Sequence, residues 1–133
     1  MILITPESYI TKHFQFKEIM CRCCGKILLC DLFIRHMRAL EAMRIEAGFP
    51  VTINSGCRCK MHNRKVGGGK KSWHKLFATD FRPSDGDPEK LGILIALAPQ
   101  YFFGIGYYWT FIHGDVRPNP YTWDNRTIKA VKR

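Results

Sequence analysis

The sequence predicts one α+β domain spanning residues 1–133, and three observations lead there. Between Asp31 and Gly48 the apolar residues Phe33, Met37, Leu40 and Met43 recur at spacings of three and four, the period of a helix with one buried face. Strand patterns follow it: the β-branched Val51-Thr52-Ile53, and a period of two through Phe111-Ile112-His113-Gly114-Asp115-Val116-Arg117. The 133 residues, 46% hydrophobic and 13% aromatic, suit one ordinary domain with one core and exclude a disordered or collagen-like chain.

Taken in order, the first expected element is short. Thr5-Pro6-Glu7 offers an N-cap hydroxyl followed by proline at the first helical position, opening a helix that ends near Phe14. A cysteine-rich loop, Cys21-Arg22-Cys23-Cys24-Gly25, leads to the long helix, which Asp31 caps and Gly48 and Pro50 end. Val51 to Ile53 delivers Asn54-Ser55-Gly56 to a turn, and a loop or short helix then carries Arg58, His62 and Asn63. Gly67-Gly68-Gly69-Lys70-Lys71 reads as a loop, because it lacks the Gly-Lys-Ser/Thr ending of a phosphate-binding signature. A weakly alternating strand covers Phe77 to Phe81, a turn covers Pro83 to Gly86, and Asp87-Pro88 starts a helix through Leu97. The tail from Pro118 to Arg133 is basic and turn-rich, and is expected to pack loosely through Tyr121 and Trp123 with little bearing on function.

Charge and cysteine usage narrow the function classes. Twenty-one Lys and Arg against 11 Asp and Glu leave a net charge of +10, which predicts an anionic partner: nucleic acid, a lipid surface or an acidic cell-wall polymer. The longest weakly polar run, Leu91 to Phe103, is short of the roughly 20 apolar residues of a membrane span and is broken by Pro99 and Gln100, so no span is expected. Met1-Ile2-Leu3-Ile4 has neither a basic leader nor a long apolar region, so no secretory signal peptide is expected. Without one, six cysteines read as reduced thiols or metal ligands before they read as a disulfide framework.

The chemistry-bearing residues are His, Asp and Cys. Metal-assisted hydrolysis needs three protein ligands and an open position, and Ser72-Trp73-His74 with Asp80, then His113 and Asp115, offers such a set for bonds of about 2.0–2.2 Å. The period of two places Phe111, His113, Asp115 and Arg117 on one strand face. His13 and His36 have no comparable context and read as structural, His36 on the polar side of its helix. A rival set is Cys21-x-x-Cys24 with Cys59-x-x-His62, four ligands of structural-zinc type. Joined to the charge it suggests a basic nucleic-acid-binding module, but aromatics do not alternate with basic residues in one stripe and no groove-reading helix is evident, which argues against nucleic acid as the partner. The same four residues would equally brace the domain through a second metal or a disulfide, leaving Cys30 and Cys57 as inert buried thiols.

Several ordered blocks together resemble a known family. Asn54-Ser-Gly-Cys-Arg58-Cys-Lys-Met-His62-Asn63, Val66-Gly-Gly68, Ser72-x-His74, Gly104-Ile-Gly-Tyr107 and Phe111-Ile-His113-Gly-Asp115-Val-Arg117 are similar to the M15 zinc peptidases, over roughly Phe16 to Arg117. These are D-alanyl-D-alanine carboxypeptidases and peptidoglycan endopeptidases, common in bacteriophages. The resemblance implies a Hedgehog/DD-peptidase-like fold, a small antiparallel sheet with helices packed on one side. It implies Zn2+ held by His74, Asp80 and His113, with Arg58 on a substrate carboxylate or developing oxyanion, Ser72 orienting the ligand loop, and Asn63 and Arg117 supporting. Asp115, on the face of His113, is the nearest residue for the general base. The implied substrate is bacterial peptidoglycan, with the positive charge favouring anionic wall polymers. The implied setting is a monomer held in the host cytoplasm until lysis-associated release, or carried in a virion.

Two departures stand out. The family pattern Ser-x-His-x-x-Gly-x-Ala-x-Asp is here Ser72-Trp-His74-Lys-Leu-Phe77-Ala78-Thr-Asp80, one residue shorter and without the glycine. The loop must therefore close tightly without the residue best able to take positive φ. Cys57 and Gly114 replace an expected tyrosine and an expected aliphatic residue, the second thinning the strand beside the metal. The alternative raised by these changes is a catalytically inactive wall-binding or structural virion protein.

Overall fold

The computed structural model describes residues 3–27, 29–58, 63–64, 73–75 and 77–126. The expectations for Cys59, His62, Ser72 and the glycine run at 67–71 fall outside them.

Helix α1 is Phe16–Ile19, begun by a reciprocal capping box in which the Gln15 N–H donates to Glu18 Oε2 at 2.6 Å. It lies later than predicted. Thr5 to Ser8 closes only a single turn, the Ser8 N–H donating to the Thr5 carbonyl at 2.9 Å, so Pro6 serves a turn and not a helix start.

Helix α2, Asp31–Ala47, buries Phe33, His36, Met37, Leu40 and Met43, and Gly48 ends it at φ 79°. Cys30 is the N-cap, and Asp31 lies in the first turn, where its charge complements the helix dipole. His36 corrects the sequence reading. It is fully buried, with Nε2 2.8 Å from Thr79 Oγ1 and its ring 5.0 Å from Phe77 and 5.3 Å from Phe102. Helix α3, Pro88–Leu97, begins as predicted: Asp87 accepts a hydrogen bond from the Glu89 N–H at 2.9 Å, and Pro88 occupies the first turn. No helix among the described residues is long and apolar enough to cross a membrane.

Among the described residues five strands form one sheet in the order β1-β2-β4-β3-β5, with β1 Val51–Ser55, β2 Ala78–Pro83, β3 Gly104–Tyr107, β4 Ile112–Asp115 and β5 Tyr121–Asp124. All neighbours are antiparallel except β3 and β5, which run parallel. This is the α+β class predicted. Strand β5 overturns the reading of the tail as loosely packed, since Tyr121–Asp124 pairs along the whole of β3 as an edge strand. A period of two is too brief there to stand out among turn residues.

The register decides which side chains meet. In β4, His113 lies between Asp80 of β2 and Gly106 of β3, and Asp115 between Ala78 and Gly104. Alternation places Thr79, Phe81, Ile112 and Gly114 on the opposite face, the one that α2 covers through His36. Phe14, Phe33, Leu40, Phe77, Phe81 and Leu94 are among the core residues of the molecule, each fully buried side chain contributing about 1.5–3 kcal/mol. Gly114 belongs to this face. A Cβ there would stand 3.0 Å from the Phe102 ring, so its absence makes room for Phe102 and does not thin the opposite, His113-bearing face.

Candidate metal centre

Three elements bring His74, Asp80 and His113 together. His74 rides on a 3-10 turn, Trp73–Lys75, while Asp80 and His113 face each other across β2 and β4. Asp80 Oδ1 lies 3.0 Å from His74 Nε2 and 2.9 Å from His113 Nδ1, and the two nitrogens are 3.2 Å apart. No other group of three His, Cys, Asp or Glu ligands gathers among the described residues. The shortened connection therefore still brings the two ends together. It is pinned by Phe77, fully buried and edge-on to Phe33 at 5.0 Å, and no described non-glycine residue takes positive φ.

The hydrogen bonds fix which nitrogens are free to ligate. His74 Nδ1 faces the Gly56 carbonyl at 2.7 Å, and a carbonyl only accepts, so Nδ1 carries the proton and Nε2 presents its lone pair. His113 Nε2 donates to Asp115 Oδ2 at 2.7 Å, which turns the Nδ1 lone pair toward Asp80. Three lone-pair atoms thus converge where they would repel one another without a cation. Their separations are slightly under the roughly 3.4 Å expected between ligand atoms on tetrahedral bonds of about 2.1 Å. The residues fit a zinc site. Burial acts to raise the Asp80 pKa, but the adjoining imidazoles of His113 and His74 outweigh it and hold the carboxylate ionised. Burial likewise acts to lower the His113 pKa, and the carboxylates of Asp115 and Asp80 on either side of the ring turn the net shift upward.

The loop carrying His74 is held close by backbone packing. A Cβ on Gly56 would stand 2.6 Å from the Ile19 carbonyl oxygen, so only glycine lets α1 approach the turn whose carbonyl orients His74. The Arg58 N–H donates to the His74 carbonyl at 2.8 Å.

Asp115 stands behind His113. It has no exposed surface, and its oxygens accept from Arg117 Nε at 2.8 Å, Arg117 Nη2 at 2.6 Å and the Arg117 N–H at 3.1 Å, besides His113. Burial would raise its pKa, and Arg117 and His113 together drive it well below the usual carboxylate range. A carboxylate so engaged, on the far side of the imidazole from the converging donors, does not fit the base role expected from its place on the strand. Arg117 is in turn enclosed, its guanidinium carbon 5.2 Å from the Trp73 ring and 5.5 Å from those of Tyr121 and Trp123.

Arg58 lies on the other side of the donor set. Its Nη2 is 3.4 Å from Asp80 Oδ2, Nη1 is 3.3 Å from Asn63 Oδ1, and Nε donates to Ser55 Oγ at 3.1 Å. Asn63, buried, is thus brought to Arg58 as a supporting residue. Burial lowers the Arg58 pKa, opposed by Asp80 and Tyr108.

Sequence reasoning missed Trp73, Trp123 and Tyr108 as parts of the site. The Trp123 ring lies 4.9 Å from that of His113, and its Nε1 donates to Tyr108 Oη at 3.0 Å. Their one sequence signal is the glycine alternation Gly104, Gly106 on β3: Gly106 leaves room for the Trp123 ring of β5, and Gly104 for the Asp115–Arg117 pair.

A sequence model of the family described as Peptidase M15 matches residues 12–115 of the chain. A search of curated proteins finds no match. The matched span takes in Arg58, Asn63, Asp115 and all three converging donors, and ends before Arg117, Tyr121 and Trp123.

Proposed function

The chain belongs to the peptidase M15 family, and from that premise we propose that it is a single-domain zinc metallopeptidase that hydrolyses a peptide bond in the stem peptides of bacterial peptidoglycan. The observation that carries the reading is the convergence of His74 Nε2, His113 Nδ1 and Asp80 Oδ1 with the remaining imidazole nitrogens already committed to acceptors. Zinc in such a site supplies a Lewis acid and brings the pKa of water toward neutrality.

This chain's residues do the rest. Gly56 and Asp115 hold the two imidazoles in their ligating tautomers. Arg58, fixed by Ser55, Asn63 and Asp80, offers a planar charged fork to the substrate's carboxylate or to the oxygen that gains charge. Ser72 would steady the turn that carries His74. The net charge of +10 supports an anionic wall as the surface on which the enzyme accumulates, an attraction that weakens as salt rises. The proposed setting is that of a monomeric bacteriophage lysis or wall-penetration enzyme, kept in the host cytoplasm before release or carried in the virion. The structural role proposed for Cys21 and Cys24 with Cys59 and His62 is a brace, by a second metal or a disulfide.

A second reading, wall binding without hydrolysis, draws on one observation: both carboxylates that touch the histidines are committed, Asp80 among the donors and Asp115 to Arg117. One experiment separates the two. Purified protein is assayed for zinc and incubated with peptidoglycan, and the soluble fragments are identified by mass spectrometry. Stoichiometric zinc with new peptide termini supports the peptidase. Zinc and wall binding without fragments supports the second reading.

A further inference from the structure

We propose that Tyr108 is a further catalytic residue, whose phenolic O–H donates a hydrogen bond to the scissile carbonyl oxygen as that oxygen gains negative charge. The inference rests on the peptidase reading above and names a part of the same site.

Tyr108 is the first residue after β3, and the alternation Gly104, Gly106, Tyr108 puts it on the face that carries His113. Its ring is fixed from below. The Tyr108 N–H donates to the Phe111 carbonyl at 3.2 Å across the β3–β4 turn, and the two rings stack at 4.3 Å with an interplanar angle of 8°. Its oxygen is fixed from the side by Trp123. A Cβ on Gly106, directly across from His113, would come within 2.5 Å of the Trp123 ring and 2.7 Å of Nε1, so the indole lies flat over that glycine beside the metal-ligand face.

The donor's identity then decides the orientation of the phenol. An indole N–H can only donate, so in the 3.0 Å contact Tyr108 Oη is the acceptor and its own proton points elsewhere. No described residue accepts that proton, and among the described residues Trp123 supplies the one hydrogen bond of the phenol. Arg58, bonded to Asp80, is near enough for the phenol to act on it electrostatically. A positioned, uncommitted O–H donor and a guanidinium thus lie beside the same donor set, the arrangement that stabilises a tetrahedral oxyanion. The proton stays on the phenol throughout, and the water that is consumed comes from solvent.

The test compares zinc-loaded wild type with Tyr108→Phe, which keeps the stack on Phe111 and removes only the donor. Cleavage is measured with peptidoglycan, and affinity with a phosphinate dipeptide, whose tetrahedral anion imitates the transition state, beside a peptide product. We expect kcat to fall by about 10²–10³-fold and phosphinate affinity by a similar factor, with KM, product affinity and zinc content unchanged. Turnover and phosphinate affinity within twofold of wild type would overturn the assignment. In the wild-type protein, with tyrosine labelled at 13Cζ, the Tyr108 resonance should shift on adding phosphinate, and a resonance that stays put also overturns it. Failure of the peptidoglycan reading looks different: wild type would leave peptidoglycan intact yet bind phosphinate in a Tyr108-dependent way, and the assignment would stand. Wild type that neither cleaves nor binds phosphinate overturns both.

Discussion

His113 and Asp115, two residues apart on β4, are joined side chain to side chain: His113 Nε2 donates to Asp115 Oδ2 at 2.7 Å, with Arg117 gripping the same carboxylate from behind. This chain of contacts sets the tautomer of His113 and aims Nδ1 at Asp80.

Asp115→Asn should therefore act first on metal affinity. A 10- to 100-fold loss in zinc binding is expected, with turnover largely recovered at saturating zinc. Zinc titration followed by activity at full occupancy checks this. Unchanged affinity with turnover lowered by about 10²–10⁴-fold would instead return Asp115 to the base role.

His74→Ala and His113→Ala should each abolish stoichiometric zinc, because three protein ligands leave no redundancy. Metal content of the purified variants is the readout. Full zinc at wild-type affinity in both would put the site elsewhere.

Phe77 closes the shortened connection that lacks the family glycine, and it is fully buried against Phe33 and His36. Emptying this anchor with Phe77→Gly should therefore harm the protein: a loss of at least about 3–5 kcal/mol, the usual cost of emptying a buried phenylalanine site. Urea unfolding measures it. A variant as stable as wild type would show that the short connection does not depend on this anchor.

Gly106→Ala tests the aromatic wall. The new Cβ would meet the Trp123 ring at 2.5 Å, so the indole must move away from His113 and Tyr108. A destabilisation of about 1–3 kcal/mol is expected, with altered tryptophan fluorescence. Wild-type stability and an unchanged spectrum would mean that the indole is not seated there.

His36 gives the protein an acid-sensitive core. Burial holds its folded-state pKa at about 3 against an ordinary 6.5, so between those values the unfolded chain binds a proton that the folded chain refuses. Stability should consequently fall as pH drops from 6.5 toward 3, by up to about 1.4 kcal/mol per pH unit from this group. Asp80 and Asp115, whose pKa values are lowered, add stability above the ordinary carboxylate range and lose it only in stronger acid. Urea midpoints between about pH 4.5 and 6 isolate the histidine. His36→Gln, which can keep a bond to Thr79, should flatten the slope there, and an unaltered slope would show that His36 does not titrate on unfolding.

Much of the site was legible because it rests on local rules. The period of two through β4 put His113, Asp115 and Arg117 on one face, Asp87-Pro88 marked the start of α3, and the spacing of Phe33, Met37, Leu40 and Met43 gave α2. His36 was legible too, one position within that same buried stripe, and was misplaced only because histidine is read as polar before its spacing is read.

What the sequence by itself determined is the set of candidate metal donors, His74, Asp80 and His113, with Arg58 beside them, since residue type and order along the chain carry it. Only the tertiary structure decided that Asp115 turns its carboxylate to Arg117, that Phe77 anchors the short loop, and that the tail becomes β5 and lays Trp123 over Gly106. The physical reason is that these are pairings between distant segments. A strand's neighbour and a side chain's hydrogen-bond partner are fixed by register and packing across the sheet, which no local period along the chain encodes.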